Sequence, residues 1–399
     1  MSARRVSIAY DCVFPVNTGG GERVYRRMAE ELVARGAHVT YVTRAQWPPS
    51  APPPAPFDLV SVWRGEIYDD AGVRTTGSAV AFAVGLFRHF VRRRRDVDLV
   101  VVAALPVLNV FAVRAALLGR PVVIAVDWLE VWPARKWRTY AGAATGTVAA
   151  VLQWLAVRIG DLRLVNSGFT RTRLRAALPG VDPIVLGLLD LAGPPRTSVD
   201  PAALDAASRE RSGREADTPY VAFVGRHIAD KRLEALPPAL AVARRAIPGL
   251  EARVVGTGPE TERVRAAAAA AGVADAVHFL GRLDDDDLDA VVSGAAALVN
   301  PSAREGFGLV VAEAAAVGVP SVVVAGDDNA SAELVEPGVN GAVATDASPE
   351  TLGAAIREVV EAGGELRRST AEWFARERAA RNLAGSVDEL LRRADRLRR

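Results

Sequence analysis

The stretch Asn300-Pro301-Ser302-Ala303-Arg304-Glu305-Gly306-Phe307-Gly308-Leu309-Val310-Val311-Ala312-Glu313 carries most of the information in this chain. The apolar run 295–299 ahead of it predicts a parallel strand buried on both faces. The Ala/Val-rich run that ends it predicts a helix containing Glu313. The loop between them carries Glu305 and two glycines, so backbone N–H groups can approach a ligand at a helix N-terminus. That end of a helix holds unpaired donors and partial positive charge, which suits a phosphate. Glu305 and Glu313 can both face one crevice, and carboxylates accept hydrogen bonds from a hydroxyl-rich ligand. Taken alone, the stretch also fits an ordinary strand–loop–helix unit with solvated glutamates.

Working outward, 399 residues exceed one ordinary core and predict two domains. Half of the residues are hydrophobic, as in a globular protein. The single cysteine, Cys12, excludes a disulfide framework and reads as a small core residue. The chain opens with no stretch like a secretion signal, so the expected compartment is the cytoplasm. Its four histidines, His38, His89, His227 and His278, show no ligand spacing, so no His/Cys metal centre is expected.

Charge is uneven. Residues 1–195 hold 24 Lys+Arg against 15 Asp+Glu, a net of +9, whereas residues 196–375 hold 17 against 28, a net of −11. A basic first half suggests an anionic partner or a membrane surface; it also fits a solvated face. Lys136 and Lys231 are the only lysines.

Strands expected at 5–10, 38–43, 99–103, 122–126 and 161–166 alternate with helices, which predicts a parallel sheet. Thr18-Gly19-Gly20-Gly21 links the first strand to a helix over 22–35. The proline-dense stretch 47–56 must be loop. The apolar run 141–159 is about long enough to span a bilayer, but Gln153 and Arg158 interrupt it, favouring a buried or surface-docked helix. Composition shifts at 191–218, the expected linker. A second series follows, with strands at 220–224, 251–255, 277–280, 295–299, 321–324 and 341–344 and a helical tail over 370–399. The chain therefore reads as α/β, with two Rossmann-like domains facing across a cleft. The domains expected are 1–190 and 219–370, with a C-terminal helix over 371–399 crossing back to the first.

Several strand ends of the second series carry polar or glycine features: Gly225-Arg226 with Lys231 beyond, Gly256-Thr257-Gly258, and Phe279-Leu280-Gly281-Arg282. Arg226 offers a planar fork to phosphate oxygens and Lys231 a point charge. In this order, with Pro301-Ser302-x-x-Glu305-Gly306-Phe307-Gly308 and Glu313, they resemble the GT4 family of retaining glycosyltransferases, which have the GT-B fold. Pro337-Gly338-Val339-Asn340-Gly341, Gly19-Gly20-Gly21-Glu22-Arg23 and Arg35-Gly36-Ala37-His38-Val39 extend the resemblance over nearly the whole chain.

The resemblance implies transfer of a sugar from a nucleotide-diphosphate donor to an acceptor hydroxyl, with retention and without a metal or other cofactor. It implies that Arg226 and Lys231 hold the diphosphate, with Gly225, Gly256, Gly258 and Arg282 around the donor. Glu305 would take the sugar hydroxyls and Glu313 the ribose. Gly306 and the N–H groups of Phe307, Gly308 and Leu309 would contact sugar or phosphate, and Gly20 and Gly21 would approach from the first domain. Many members carry a histidine after the strand that here ends at Val126. This chain has Asp127-Trp128-Leu129-Glu130 instead. Asp127, Trp128 and Glu130 are therefore candidates for contact with the sugar or acceptor; the alternative for Asp127 is a cap on the next turn. The acceptor is a lipid or envelope component, favoured by the basic first half and the apolar helix near Trp154, or a soluble aglycone or aminocyclitol. Peripheral association with the inner membrane face goes with the first; nucleic acid is not an expected partner. A nucleotide-sugar 2-epimerase and a non-catalytic sugar-nucleotide binder are the alternatives.

Overall fold

The computed structural model describes residues 4–48, 51–67, 75–193 and 218–398. The chain divides into two units: Met1–Leu191 together with Arg381–Arg399, and Ala192–Ala380. Most of the expected linker, 194–217, lies outside the described residues.

The first unit holds seven strands: β1 (Arg5–Ala9), β2 (His38–Ala45), β3 (Asp58–Arg64), β4 (Leu99–Ala103), β5 (Val123–Trp128), β6 (Leu162–Val165) and β7 (Ile184–Val185). They form one parallel sheet in the order β3-β2-β1-β4-β5-β6-β7. Sequence order reverses between β1 and β4, which opens a crevice beyond the strand C-termini there. β4 is buried along its whole length, as an apolar run with helices on both faces must be. Helices Thr76–Arg93, Leu108–Ala116 and Ala143–Ala156 pack in series, and helices Gly20–Ala34 and Leu383–Arg398 pack together. The apolar run 141–159 forms one helix, Ala143–Ala156, which Gly142, at φ 81°, separates from helix Ala134–Ala141. No helix among the described residues is long and apolar enough to cross a membrane.

The second unit holds β8 (Tyr220–Val224), β9 (Glu251–Val255), β10 (Val277–Gly281), β11 (Ala297–Asn300), β12 (Ser321–Val324) and β13 (Gly341–Ala344). All pair in parallel, in the order β10-β9-β8-β11-β12-β13. The same reversal recurs, now between β8 and β11. The two strands whose ends carry Lys231 and Glu305 are therefore hydrogen-bonded neighbours at the switch point. Leu236, Leu240, Val254, Val299, Val322 and Ile356 belong to one core cluster over this sheet.

The long helical segment Pro349–Ala380 breaks at Gly363, whose φ of 56° and ψ of −135° no helix accommodates. Trp373 lies in its second half and belongs to the second unit; the return to the first unit comes at Arg381, ten residues later than the expected 371. Gly187 makes that return fit: a Cβ there would lie 2.3 Å from the Arg381 carbonyl carbon. The Gly187 N–H donates to Ser386 Oγ at 2.8 Å, and Leu383 N–H to Asp190 Oδ1 at 3.0 Å. Ion pairs Arg35–Asp388 and Arg393–Asp182 clamp the last helix; being largely exposed, each contributes about 1 kcal/mol or less.

Candidate active site

The centre of the second unit's site is an ion pair. Lys231 Nζ donates to Glu305 Oε1, with both side chains mostly buried. Asn300 Nδ2 at 3.3 Å and Ser302 Oγ at 3.0 Å donate to the same oxygen. Lys231 and Asn300 fix one oxygen of Glu305, with the Ser302 hydroxyl shared between it and Asn300 Oδ1, and Glu305 Oε2 carries no hydrogen bond among the described residues. A carboxylate so held keeps its second oxygen oriented to accept from a ligand hydroxyl.

The two loops are joined independently of that pair. Arg232 sits in the left-handed region at φ 45°, an uncommon place for a residue with a side chain. Its guanidinium donates to the Pro301 and Ser302 carbonyls at 3.1 and 3.3 Å. Ala303 N–H donates to Asp230 O at 2.8 Å, and Arg304 pairs with Asp230 at 3.2 Å. Across the site, buried Asn329 acts as a strap. Its Nδ2 donates to Ser302 O at 3.1 Å and Val324 O at 2.8 Å. Glu305 N–H donates to Asp328 O, and Ala330 N–H to Glu305 O, both at 2.9 Å. The loop holding Glu305 is thus pinned on both flanks before any ligand arrives, which is the preorganisation that electrostatic catalysis requires.

Gly308 ends that loop at φ 95° and starts helix Leu309–Ala316 with no side-chain cap. The first-turn N–H groups therefore remain to be satisfied from outside the helix. A Cβ on Gly308 would meet Ser331 Cβ at 2.5 Å, so only glycine permits this turn. Phe307 is buried, while Gly306, Leu309 and Glu313 are half-buried. Arg226 is exposed at the end of β8 and has no ion-pair partner among the described residues.

The glycine turns prove to be contacts between loops. A Cβ on Gly256 would lie 1.9 Å from the Gly225 carbonyl oxygen, and one on Gly258 2.3 Å from the His227 carbonyl oxygen. His227, which the sequence offers only as a lone histidine, is buried beneath both turns. Its Nδ1 meets Thr261 Oγ1 at 2.8 Å, and burial lowers its pKa, keeping the ring neutral. Arg282 is exposed just beyond the end of the edge strand β10, two strands from β8. Strand spacing puts it roughly 10 Å from the switch point.

In the first unit, Gly20 and Gly21 open the helix at the end of the β1 loop. A Cβ on Gly21 would touch the Tyr10 hydroxyl at 3.0 Å, and Tyr10 packs on Tyr25 with ring centroids 4.3 Å apart. Tyr25 donates to Asp127 Oδ2 at 2.6 Å. Asp127 is fully buried, so its carboxyl is pushed up to about 6, the Tyr25 hydrogen bond acting in the opposite sense. It presents no surface to a ligand here and does not cap the following turn. Trp128 is also buried, as part of the core over the sheet. Glu130 is half-buried and accepts from Trp132 Nε1. Gln153 ties Trp132 and Trp137 to helix Ala143–Ala156, through Oε1 to Trp132 N at 3.0 Å and Trp137 Nε1 at 3.1 Å.

With this geometry in view, two family models match. Residues 205–374 match "Glycosyl transferases group 1" and residues 18–186 match "Glycosyltransferase Family 4". The chain belongs to the GT4 glycosyltransferases, in the GT-B fold. Its similarity to the GDP-mannose-dependent alpha-(1-6)-phosphatidylinositol monomannoside mannosyltransferase of Mycobacterium tuberculosis is 27% identity over 424 residues, covering 96% of this chain and 97% of that one. It is 28% identical over 232 residues to the 2-deoxystreptamine glucosyltransferase of Streptomyces kanamyceticus, covering 57% of this chain and 60% of the relative. Among solved structures, the sucrose-phosphate synthase of Thermosynechococcus elongatus superposes with a TM-score of 0.77 at 19% identity, covering 99% of both chains.

Proposed function

We propose that this glycosyltransferase moves a sugar from a nucleoside-diphosphate donor to a hydroxyl of a cyclitol-type acceptor, with retention at the anomeric carbon. The observation that carries the reading is the Lys231–Glu305 pair, fixed where β8 and β11 separate and flanked by exposed Arg226 and the uncapped helix after Gly308. Arg226 and Lys231 bind the diphosphate and stabilise the charge that grows on it as the anomeric C–O bond breaks. Glu305 Oε2 accepts from the sugar and Glu313 from the ribose. Phe307, Gly308 and Leu309 turn backbone N–H groups to sugar or phosphate, with Gly306 giving room for close approach. Gly225, Gly256 and Gly258 let the surrounding loops approach closely, and Arg282 lies further out along the strand ends.

The acceptor oxygen attacks the anomeric carbon on the face from which the nucleoside diphosphate leaves. The electron pair of the broken bond stays on the leaving phosphate, and the acceptor's proton passes to a phosphate oxygen. No group of three or more His, Cys, Asp or Glu among the described residues is arranged to hold a metal ion. The two cations and the helix N-terminus are proposed to supply the electrostatic role a metal would otherwise take, so activity should survive chelation. Both curated relatives quoted above are named for cyclitol-containing acceptors, a phosphatidylinositol monomannoside and 2-deoxystreptamine.

A panel of nucleoside-diphosphate sugars, each offered with phosphatidylinositol and with 2-deoxystreptamine, tests the reading. It predicts product mass increased by one sugar, with the donor's anomeric configuration retained by NMR. Epimerised donor without transfer, or an inverted product, would overturn it.

A further inference from the structure

We propose that the helical layer formed by Thr76–Arg93, Leu108–Ala116 and Ala143–Ala156 in the first unit is a docking face for an anionic phospholipid bilayer. The inference goes beyond the transfer reaction and stands without it. Its first support is where large apolar side chains meet solvent. Thirteen are exposed among the described residues, and ten of them lie between Val80 and Leu155. Helices Thr76–Arg93 and Ala143–Ala156, which both pack against Leu108–Ala116, hold eight of the thirteen.

On helix Thr76–Arg93 the exposed residues are Val80, Val84, Phe87 and Val91, each about two-fifths exposed. At 100° per residue they fall within one narrow stripe, about 17 Å long. The opposite face is apolar too, with Phe82, Leu86 and Phe90 fully buried in the core. A surface helix that serves only its own domain would carry polar residues where this stripe runs. Helix Ala143–Ala156 adds Val148, Val151, Trp154 and Leu155, and the Arg158 guanidinium stacks 3.8 Å over the Trp154 ring. Aromatic–Arg pairs of this kind suit the boundary between headgroups and acyl chains.

Charge selects the occupant. Residues 76–158 contain eleven Lys+Arg against four Asp+Glu, a net of +7. Two of those acids are engaged elsewhere, Asp127 with Tyr25 and Asp98 with Arg5 and Arg398. Helix Thr76–Arg93 contains no acid at all, and Arg92-Arg93-Arg94-Arg95 closes it. Two copies meeting through this face would oppose like charges, which disfavours self-association. An apolar stripe edged by arginines matches an anionic interface, with the helix lying in its plane.

A groove of about 610 Å³ runs between β3 and helix Thr76–Arg93, lined among others by Val62, Trp63, Arg88, His89, Arg92 and Arg93. Arg88 and Arg92, four residues apart, lie on the helix between the stripe and this groove. Gly85 brings helix and strand together: a Cβ there would lie 2.7 Å from the Val62 carbonyl oxygen. The groove would seat the phosphate of a lipid whose chains follow the stripe.

Co-sedimentation of the full chain with vesicles of pure phosphatidylcholine, and with roughly one-third phosphatidylglycerol, tests the proposal. The expected result is binding to the anionic vesicles that weakens with salt, and little binding to phosphatidylcholine. Val84→Glu with Phe87→Glu should abolish it. Arg92→Ala with Arg93→Ala should reduce it about fivefold per charge removed. Thermal melting checks that the variants fold. Calorimetric binding of UDP and GDP, which reads the second unit, should be unchanged, so failure here is separable from failure of the transfer reading. Absent binding, equal binding to both vesicle types, or wild-type binding by folded variants would overturn the proposal. So would a vesicle-free dimer dispersed by Phe87→Glu, which would assign the face to a second copy.

Discussion

Replacing Asp127 with Asn should flatten the acid side of the protein's stability profile. The carboxyl lies at the end of β5 with no solvent exposure, and Tyr25 is its one hydrogen-bond donor, at 2.6 Å to Oδ2. Oδ1 has no partner among the described residues. Burial therefore disfavours the charged form and raises the folded-state pKa to about 6 from the ordinary 3.8. A raised folded pKa means that the fold favours the protonated form. The associated stability is complete below the unfolded pKa near 4 and is lost as pH rises through about 6. A separation of about two units corresponds to about 3 kcal/mol. Asn cannot ionise, so wild type should lose about 3 kcal/mol relative to Asp127→Asn between pH 4 and pH 7. Urea unfolding of both proteins at half-unit pH intervals measures that difference. Tyr25→Phe removes the one bond that favours the carboxylate, and should move the wild-type transition to higher pH. A wild-type–variant difference that stays constant from pH 4 to pH 7 would refute the reasoning.

Two further predictions concern the walls of the second unit's site. Asn329→Ala removes the bonds to Ser302 O and Val324 O and releases the flank of the Glu305 loop. It should cost about 2–3 kcal/mol in urea unfolding and weaken nucleotide binding measured by calorimetry. Gly308→Ala places a Cβ 2.5 Å from Ser331 Cβ at a φ of 95°, so the helix N-terminus must shift. Nucleotide affinity should fall about tenfold or more, equal to about 1.4 kcal/mol, while overall secondary structure by circular dichroism is kept.

Regular buried strands were legible in the sequence. Runs such as Tyr220–Val224 and Ser321–Val324 have continuous apolar character, and the observed strands coincide with them. β3 was missed because it follows the proline-dense stretch and is an edge strand, with Ser61 and Arg64 exposed. β7, only two residues long, leaves no pattern to read. The helix Asp285–Ser293 starts at a signal the sequence does contain: Asp284 caps Asp287 N–H at 2.9 Å, and acids fill the first turn. The apolar run 141–159 holds the expected partly surface-docked helix, Ala143–Ala156; its start was not legible, because periodicity cannot show the turn that Gly142 imposes.

At the site, Lys231 and Glu305 were identifiable because each lies in the loop after a buried strand; that the two strands are neighbours at a switch point is shown by the structure. Asn329 and His227 were not. Asn329 acts across 27 residues through backbone carbonyls, and His227 works by being buried under two glycine turns; neither leaves a spacing signal. Asp127 stood out as a departure from a family pattern. Only the structure shows that it is an interior group held by Tyr25 rather than a surface contact.

In the proposed reaction the switch-point pair of the second unit carries sugar transfer. The most direct measurement is acceptor-dependent release of nucleoside diphosphate by wild type and by Lys231→Ala, at saturating donor. Lys231→Ala should lose at least about 10²–10³-fold in kcat with the fold intact, the magnitude of removing one preorganised donor to developing charge. A correctly folded Lys231→Ala protein that turns over within a few-fold of wild type would contradict it.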